Sequence, residues 1–308
     1  MCTKYFPTWG RAWNNRPLFF LLFAHDALAK TIQKKCQYEL GSITQHQFPD
    51  EETVMQIDSN VAGREVFFIT SLDQPNTKLV PLVFAAETAR AQGALKVTLI
   101  APYLAYMRQD KVFEPGQGIT SKYFAQLLSR YFDGLVTIDP HLHRWHTLSA
   151  IYDIPATVLH ATDNIAQWIH KHMHAPILIG PDAESQQWVA DIARKANAPF
   201  LILEKIRKGD KQVEVSIPNI EKYQNAIPVL IDDIISTGMT MIGAVKHLLS
   251  LKMHPPICIG VHAIFAGDAY QQLLASGVEN IITCNTIQHC SNGIDISTNI
   301  INYLGICK

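Results

Sequence analysis

Two adjacent carboxylates and a loop of small residues mark the segment 229–240 as a place for chemistry. Asp232 and Asp233 follow an apolar run, and the loop that comes next consists of Ser236, Thr237, Gly238, Met239 and Thr240. This order predicts a buried strand, a tight turn and a helix start, where backbone N–H groups and the helix dipole favour an anion. The carboxylates could accept hydrogen bonds from sugar hydroxyls or hold a hydrated cation. The segment therefore predicts a site for a sugar phosphate.

The same residue types also form ordinary helix caps. Asp, Ser, Thr and Gly are common at strand-to-helix turns, and Thr240 could be an N-cap. The doubled carboxylate at the end of so apolar a strand favours a ligand, because an acidic pair is costly to desolvate unless something pairs with it.

Cationic side chains follow two other predicted strands. Lys205 and Arg207 lie one residue apart after the strand predicted over 199–203, and they would suit the negative charge that develops on a transferring phosphoryl group. A solvated basic hairpin is the alternative there. Arg108 and Lys111 follow the strand predicted over 96–100 and could clamp a polyphosphate.

A carboxylate and two imidazoles fall within the segment from Asp139 to His143. A metal site and a hydrogen-bonded structural role are both open for His141 and His143. Since zinc-type ligand sets are missing elsewhere in the sequence, the favoured ion is a hard cation that phosphates carry in. No G-x-x-x-x-G-K-[ST] motif occurs, which excludes a P-loop enzyme.

Strand-like and helical patterns alternate along the chain, which predicts an α/β fold with parallel sheets covered by helices. Ligands of such sheets lie beyond the carboxyl ends of the strands, where the residues above are found. A domain boundary is predicted near Pro155. The predicted strands are 18–24, 65–70, 96–100, 135–138, 176–179, 199–203, 228–231, 257–264 and 280–283, and the predicted helices are 79–92, 163–172 and 241–249.

Length and composition narrow the class of protein. The 308 residues leave room for two domains of roughly 100–200 residues each. With 26 basic and 27 acidic side chains, the chain gives no electrostatic reason to expect nucleic acid or an anionic membrane as a partner. Six cysteines without a C-x-x-C pair fit a reduced cytoplasmic setting. The apolar run 18–24 is too short to span a membrane, and since no small-residue cleavage site follows it, we do not expect it to be a signal peptide.

Taken together and in this order, these segments resemble the ribose-phosphate diphosphokinases, also called phosphoribosyl pyrophosphate synthetases. The resemblance runs from about Leu18 to Ile306. The segments that carry it are Gln47 to Glu52, Tyr103 to Lys111, the conformationally mobile Gly118 to Lys122, Lys205-Ile206-Arg207, Asp232 to Thr240, His262 to Tyr270, and Thr283 to Thr286.

The resemblance implies two phosphoribosyltransferase-like domains, each a mainly parallel sheet flanked by helices. The N-terminal domain, 1–156, would bind ATP, with 295–308 packing back on it, and 157–294 would bind ribose 5-phosphate. The implied reaction moves the pyrophosphoryl group of ATP to the anomeric hydroxyl of ribose 5-phosphate, for nucleotide biosynthesis in the cytoplasm. The family also implies a homo-oligomer whose ATP site draws on a neighbouring subunit.

The resemblance assigns roles to particular residues. The catalytic residues would be Lys205 and Arg207; the ATP site would hold Phe48, Asp50, Glu51, Glu52, Arg108 and Gln109; ribose 5-phosphate would contact Asp232, Asp233, Ser236, Thr237, Gly238, Met239 and Thr240; and Mg²⁺ would be held by His143 and Asp182.

Three positions depart from the family pattern. The family has Asp-Leu-His where this chain reads Asp139-Pro140-His141-Leu142-His143; His141 keeps the spacing from the Asp, while Leu142-His143 and the distance to Pro155 favour His143. Ala183-Glu184-Ser185 replaces a Gly-Gly pair after Asp182, and Ser236 replaces a common acidic residue.

A non-catalytic nucleotide-binding regulator is the alternative function, whereas a phosphoribosyltransferase would not need the ATP segments.

Overall fold

A computed structural model describes residues 16–23, 26–35, 39–208 and 212–305. The first 15 residues of the predicted N-terminal domain, which include Cys2, lie outside these ranges, and so do Cys36 and Cys307. The described residues divide into two compact units, one containing those up to Leu159 together with those from Ser297 onward, and the other containing those within His160–Ile296. Each unit is built around its own parallel sheet.

The first unit contains a six-stranded parallel sheet in the order β2-β1-β5-β6-β7-β8 and a separate antiparallel hairpin, β3-β4. Its strands are β1 (Leu18–Leu21), β2 (Glu39–Leu40), β3 (Ile43–Gln47), β4 (Thr53–Ile57), β5 (Glu65–Ile69), β6 (Lys96–Ala101), β7 (Gly134–Ile138) and β8 (Ala156–Leu159). Its helices are α1 (Asp26–Lys35), α2 (Pro75–Ala91), α3 (Thr120–Tyr131) and, from the end of the chain, α8 (Ser297–Tyr303).

Aromatic pairs hold the centre of this sheet together. The register of β1 on β5 places Phe19 beside Phe67 and Phe20 beside Phe68. The rings stack with centroids 4.9 Å and 5.3 Å apart, and all four side chains are buried. Because both faces of the sheet are covered, these strands read as continuous apolar runs in the sequence.

The second unit repeats this plan with a parallel sheet in the order β10-β9-β13-β14-β15-β16 and an antiparallel hairpin, β11-β12. Its strands are β9 (Pro176–Gly180), β10 (Phe200–Ile202), β11 (Glu204–Lys208), β12 (Gln212–Ser216), β13 (Ile227–Ile235), β14 (Ile257–Ala263), β15 (Asn280–Cys284) and β16 (Asn292–Ile294). Its helices are α4 (Thr162–His172), α5 (Gln186–Ala196), α6 (Met239–Ser250) and α7 (Ala269–Ala275).

Both sheets have the same strand order once the hairpins are set aside. In each, the second strand lies beside the first, the third lies on the other side of the first, and the fourth, fifth and sixth follow outward. Each hairpin is inserted between the second and third strands of its sheet. The sequence shows no internal repeat that corresponds to this duplication.

The bounds of several elements differ from the sequence prediction, and two of these elements differ by four residues. The strand predicted over 228–231 continues to Ile235, because Asp232 and Ile234 still pair with Gly260 and His262 of β14. Helix α2 begins at Pro75, four residues before the predicted start. A proline is accepted in the first helical turn because its missing N–H would have no helical partner there.

The C-terminal helix α8 packs against α1 in the first unit, where Lys35 Nζ donates a hydrogen bond to Ser297 Oγ at 3.3 Å. Among the described residues, no helix combines the length and the apolar character needed to cross a membrane.

We expect two neighbouring leucines of α7 to differ sharply in their contribution to stability. Leu273 is fully buried, whereas 38% of Leu274 is exposed. Leu273→Ala should lower the free energy of unfolding by about 2–5 kcal/mol, since it leaves a cavity in the core, and Leu274→Ala by less than about 1 kcal/mol. Urea unfolding followed by circular dichroism measures both, and equal losses would contradict this placement of the helix.

Candidate functional site

The carboxylates of Asp232 and Asp233 project from within β13 rather than following it. Each accepts a hydrogen bond from the next backbone N–H: Asp233 N donates to Asp232 Oδ1 at 2.9 Å, and Ile234 N donates to Asp233 Oδ1 at 2.8 Å. These local bonds fix both side chains at the carboxyl end of the sheet in the second unit, where ligands of parallel sheets bind.

Asp182 lies in the same unit, directly after β9, which is the neighbour of β13. Its Oδ1 accepts a hydrogen bond from Ser185 N at 3.0 Å, and its backbone carbonyl accepts one from Ser185 Oγ at 2.7 Å. The replacement of the family's glycine pair is therefore accommodated by a 3-10 turn, Ala183–Ser185, with Asp182 as its cap. The side chain of Glu184 is not described.

Burial raises the pKa of Asp232 well above the usual 3.8 of an aspartic acid, and the negative charges of Asp233 and Asp182 add to this shift. A hydrogen bond from the Asp233 backbone acts in the opposite direction. Carboxylates that repel one another in this way are suited to a hard cation, which prefers oxygen ligands and would relieve the repulsion.

The loop between β13 and α6 has the geometry of an anion site. Gly238 precedes the helix with a φ of 69°, a backbone conformation that glycine adopts without strain. Helix α6 begins at Met239, so Thr240 lies inside the first turn and the proposed N-cap role of Thr240 is wrong. Met239 is 63% exposed at this helix start.

The loop is braced by the chain that follows β14. Phe265 N donates to Ile235 O at 2.9 Å, and Ala266 N donates to Ser236 O at 3.1 Å. These two bonds attach the start of the loop to the neighbouring chain, and they thereby hold the backbone N–H groups at the start of α6 in a fixed position. A phosphate bound there would meet a preformed site.

Lys205 and Arg207 lie on β11, the first strand of the second unit's hairpin, and pair with Val215 and Val213 of β12. The hairpin alternative from the sequence is thus correct for the backbone. The side chains of 205–215 are not described, so the predicted catalytic roles of both cations stay predictions.

In the first unit, Arg108 and Gln109 follow β6 and are both exposed. Gln109 N donates to Tyr106 O at 2.9 Å, and Tyr106 itself has a φ of 63°. Positive φ values cost energy for residues other than glycine, so this tight turn is maintained by its surroundings. It turns Arg108 and Gln109 outward from the buried segment that follows the strand.

The two histidines follow β7, the neighbour of β6 in the sheet. The rings of His141 and His143 lie 3.8 Å apart between centroids with an interplanar angle of 37°. Asp139, at the start of this segment, is buried and has a φ of 35°. Because the two imidazole rings are in contact, their positions do not distinguish one from the other as a metal ligand. The choice of His143 over His141 therefore stays a prediction.

The predicted ATP residues 48–52 form the tip of the β3-β4 hairpin. Phe48 N donates to Glu52 O at 2.8 Å, Glu51 N donates to Phe48 O at 2.9 Å, and Glu52 N donates to Asp50 Oδ1 at 3.3 Å. Phe48 is 44% exposed and meets the ring of His46 edge-on. An exposed aromatic side chain at a tightly bonded hairpin tip is available to stack on a flat group outside the sheet.

The structure therefore assembles the predicted residues in two groups. Asp182, Asp232 and the loop 236–240 meet at one sheet edge of the second unit. Arg108 and the histidine segment follow neighbouring strands of the first unit. Two contacts near these residues were not predicted from the sequence: an ion pair of Arg144 with Asp110, between the segments that follow β7 and β6, and a hydrogen bond from Trp145 to Ser121 of α3.

The raised pKa of Asp232 predicts a pH-dependent cost in stability. Folding takes up a proton at Asp232 between the unfolded pKa near 3.8 and the higher folded pKa, so its contribution to stability falls as pH rises through that window. Asp232→Asn should therefore raise the free energy of unfolding at pH 7, and the gain should vanish below about pH 4. Urea unfolding in EDTA without phosphate measures this.

Asp191 is the control with the opposite sign. Hydrogen bonds from Lys195 and Arg194 lower its pKa, so its contribution is present at neutral pH and lost as pH falls. Asp191→Asn should destabilise slightly at pH 7 and have no effect at low pH. A gain from Asp232→Asn that is the same at all pH values would contradict the raised pKa.

Comparison with known proteins identifies the family. The model for the N-terminal domain of ribose phosphate pyrophosphokinase matches residues 18–131, and the model for the phosphoribosyl transferase domain matches residues 147–296. The crystal structure of phosphoribosylpyrophosphate synthetase from Mycobacterium smegmatis superposes with a TM-score of 0.83 at 22% identity, over 94% of this chain and 98% of that one. These matches confirm the predicted α/β fold with two such domains.

Curated relatives agree over most of the chain. The ribose-phosphate pyrophosphokinase of Saccharolobus solfataricus is 32% identical over 269 residues, which is 86% of this chain and 91% of the relative. That of Methanopyrus kandleri is 29% identical over 262 residues, which is 84% of this chain and 89% of the relative. The predicted enzyme class is confirmed by these relatives. The chain therefore belongs to the ribose-phosphate pyrophosphokinase family.

Proposed function

We propose that this protein transfers the pyrophosphoryl group of ATP to the anomeric hydroxyl of ribose 5-phosphate, giving 5-phosphoribosyl 1-diphosphate and AMP. The observation that carries the proposal is the braced loop 236–240 after the carboxylate pair of β13. It has the features of a sugar phosphate site, and it belongs to a chain whose other unit contains segments that resemble the family's ATP segments.

The acceptor is assigned to the second unit. The 5-phosphate would lie against the N–H groups of Ser236 to Thr240, and the loop's rigid attachment to the chain after β14 supports this because the donors need no rearrangement. Asp232 and Asp233 would accept hydrogen bonds from the ribose hydroxyls. This binding orients the anomeric hydroxyl for attack.

The donor is assigned to the first unit. Phe48 would stack on the adenine, and Asp50, Glu51 and Glu52 would contact the nucleoside from the same hairpin tip. Arg108 and Gln109 would contact ATP from the turn after β6. The exposed position of Phe48 fits the family's homo-oligomeric arrangement, in which the hairpin completes the ATP site of a neighbouring subunit. We also place the enzyme in the cytoplasm, in nucleotide biosynthesis.

Lys205 and Arg207 are the proposed catalytic residues. The anomeric oxygen forms a bond to the β-phosphorus while the bond from that phosphorus to the oxygen of AMP breaks, and the hydroxyl loses its proton. Negative charge grows on the non-bridging oxygens and on the departing AMP. Two cations placed beside these oxygens stabilise the transition state more than the bound substrates, which raises turnover.

Mg²⁺ is the proposed cofactor, with His143 and Asp182 as the ligands assigned to it. When bound, it would neutralise charge on the ATP phosphates. The carboxylates of Asp182, Asp232 and Asp233 fit this ion: burial and then the negative charges of its two neighbours raise the pKa of Asp232, and a hard cation would relieve the repulsion among the three.

The decisive measurement is product formation. The purified chain incubated with ATP, ribose 5-phosphate and Mg²⁺ should release AMP and 5-phosphoribosyl 1-diphosphate in equal amounts, resolved by ion-exchange chromatography. Leaving out ribose 5-phosphate or adding excess EDTA should abolish AMP release. If neither product forms while ATP still binds, the regulatory homologue becomes the better assignment.

The role of Lys205 is tested by substitution. Lys205→Ala should lower kcat by about 10²-fold or more while the KM values change little, since the cation acts on charge that develops in the transition state. Lys208→Ala, in the same strand, is the matched control and should keep most of the turnover. Unaltered turnover in Lys205→Ala would remove that residue from the mechanism.

A further inference from the structure

A surface arginine reaches a buried carboxylate in the first unit. Nη1 of Arg144 donates to both carboxylate oxygens of Asp110, at 3.0 Å to Oδ1 and 3.2 Å to Oδ2. The side chain of Asp110 is 3% exposed, whereas that of Arg144 is 49% exposed. The carboxylate therefore depends on this guanidinium for much of its charge compensation, because water reaches it poorly.

The two partners stand next to residues that the proposed function uses. Asp110 directly follows Gln109 in the turn after β6, and Arg144 directly follows His143 in the segment after β7. The ion pair thus joins the segment that would contact ATP to the segment that would carry a metal ligand. Neither Asp110 nor Arg144 has a role of its own in the proposed reaction.

A second connection joins the same two segments through α3. Trp145 Nε1 donates to Ser121 Oγ at 3.0 Å, and Ser121 N donates to Gln109 O at 3.2 Å. Ser121 is fully buried. With the ion pair, these contacts close a ring that runs from Gln109 through Ser121 to Trp145 and back. A closed ring of contacts fixes the spacing of the two segments more firmly than either contact alone.

We infer that Arg144 is a positioning residue for the pyrophosphoryl donor: its ion pair with Asp110 sets the spacing between Arg108-Gln109 and the His141-His143 pair. Without the guanidinium, the buried carboxylate is left uncompensated and the turn that carries Arg108 and Gln109 must shift to solvate it. Groups that orient a triphosphate tolerate little displacement. The inference rests on the proposed function for its substrate.

The matched control is the ion pair of Arg90 with Asp133, at 2.9 Å. It lies in the same unit, where Asp133 also accepts a hydrogen bond from Val97 N at 2.7 Å, at the opposite end of β6 and β7 from the proposed site. Arg90→Gln removes an arginine–aspartate pair from the same unit without touching the donor segments, and its carboxylate is 37% exposed where that of Asp110 is buried. Any effect common to Arg90→Gln and Arg144→Gln therefore reports on folding alone.

Steady-state kinetics of Arg144→Gln should show a rise of about tenfold or more in the KM for ATP, with the KM for ribose 5-phosphate changed less than about twofold. Arg144→Lys keeps the charge but has no planar guanidinium, so it should fall between wild type and Arg144→Gln. Arg90→Gln should leave both KM values unchanged. Equal KM values for ATP in Arg144→Gln and Arg90→Gln would overturn the inference.

Calorimetric titration of ATP in EDTA gives a readout that does not depend on turnover. The Kd for ATP should rise in Arg144→Gln and not in Arg90→Gln, with thermal unfolding run beside it to compare the loss of stability. An unchanged Kd for ATP would also overturn the inference. A wild-type chain that binds ATP but releases no AMP would instead refute the proposed reaction, while the comparison of Kd values would still decide the role of Arg144.

Discussion

The direction of the strands is the constraint on which the rest of this structure depends. All six strands of each sheet run parallel, so every carboxyl end lies at one edge and every chain segment that leaves a strand there is brought beside its neighbours. For this reason, residues far apart in sequence, such as Arg108 and His143 or Asp182 and Asp232, lie at or beyond the carboxyl ends of neighbouring strands. Burial among the apolar strands is also the main reason why the pKa of Asp232 on β13 is raised.

Rigid backbone at these edges explains how small side chains could recognise large anionic substrates. The loop before α6 is bonded to the chain after β14, and the turn before Arg108 is held with Tyr106 in a left-handed conformation. The positive φ of Gly238 carries no strain, and the cost of the left-handed conformation of Tyr106 is met by the surrounding packing during folding. Since the backbone is already ordered before a substrate binds, binding costs little conformational entropy, and more of the interaction energy contributes to affinity and orientation.

The alternation of strands and helices could be read from the sequence because buried parallel strands are continuous apolar runs. The hairpins were harder to read, and the one containing Glu204–Lys208 was only an alternative, since its polar stretch lacks that signal. The site loop was visible from Ser236 to Thr240, but β13 was predicted too short, because paired carboxylates usually end a strand. The contact of Arg144 with Asp110 spans 34 residues and exists only because β6 and β7 are neighbours, which local patterns do not reveal.

The hairpins inserted at equivalent points of the two sheets suggest how such a chain can acquire new chemistry. Each hairpin forms its ladder of backbone hydrogen bonds within itself rather than with the parallel strands, so it could be lengthened, shortened or replaced without disturbing them. In one unit the insertion presents Phe48, and in the other it contains Lys205 and Arg207. Insertion of a hairpin at the same point of each sheet would thus have given the two units different functional side chains. Exchanging hairpins between relatives is a natural route to altered donor or acceptor preference.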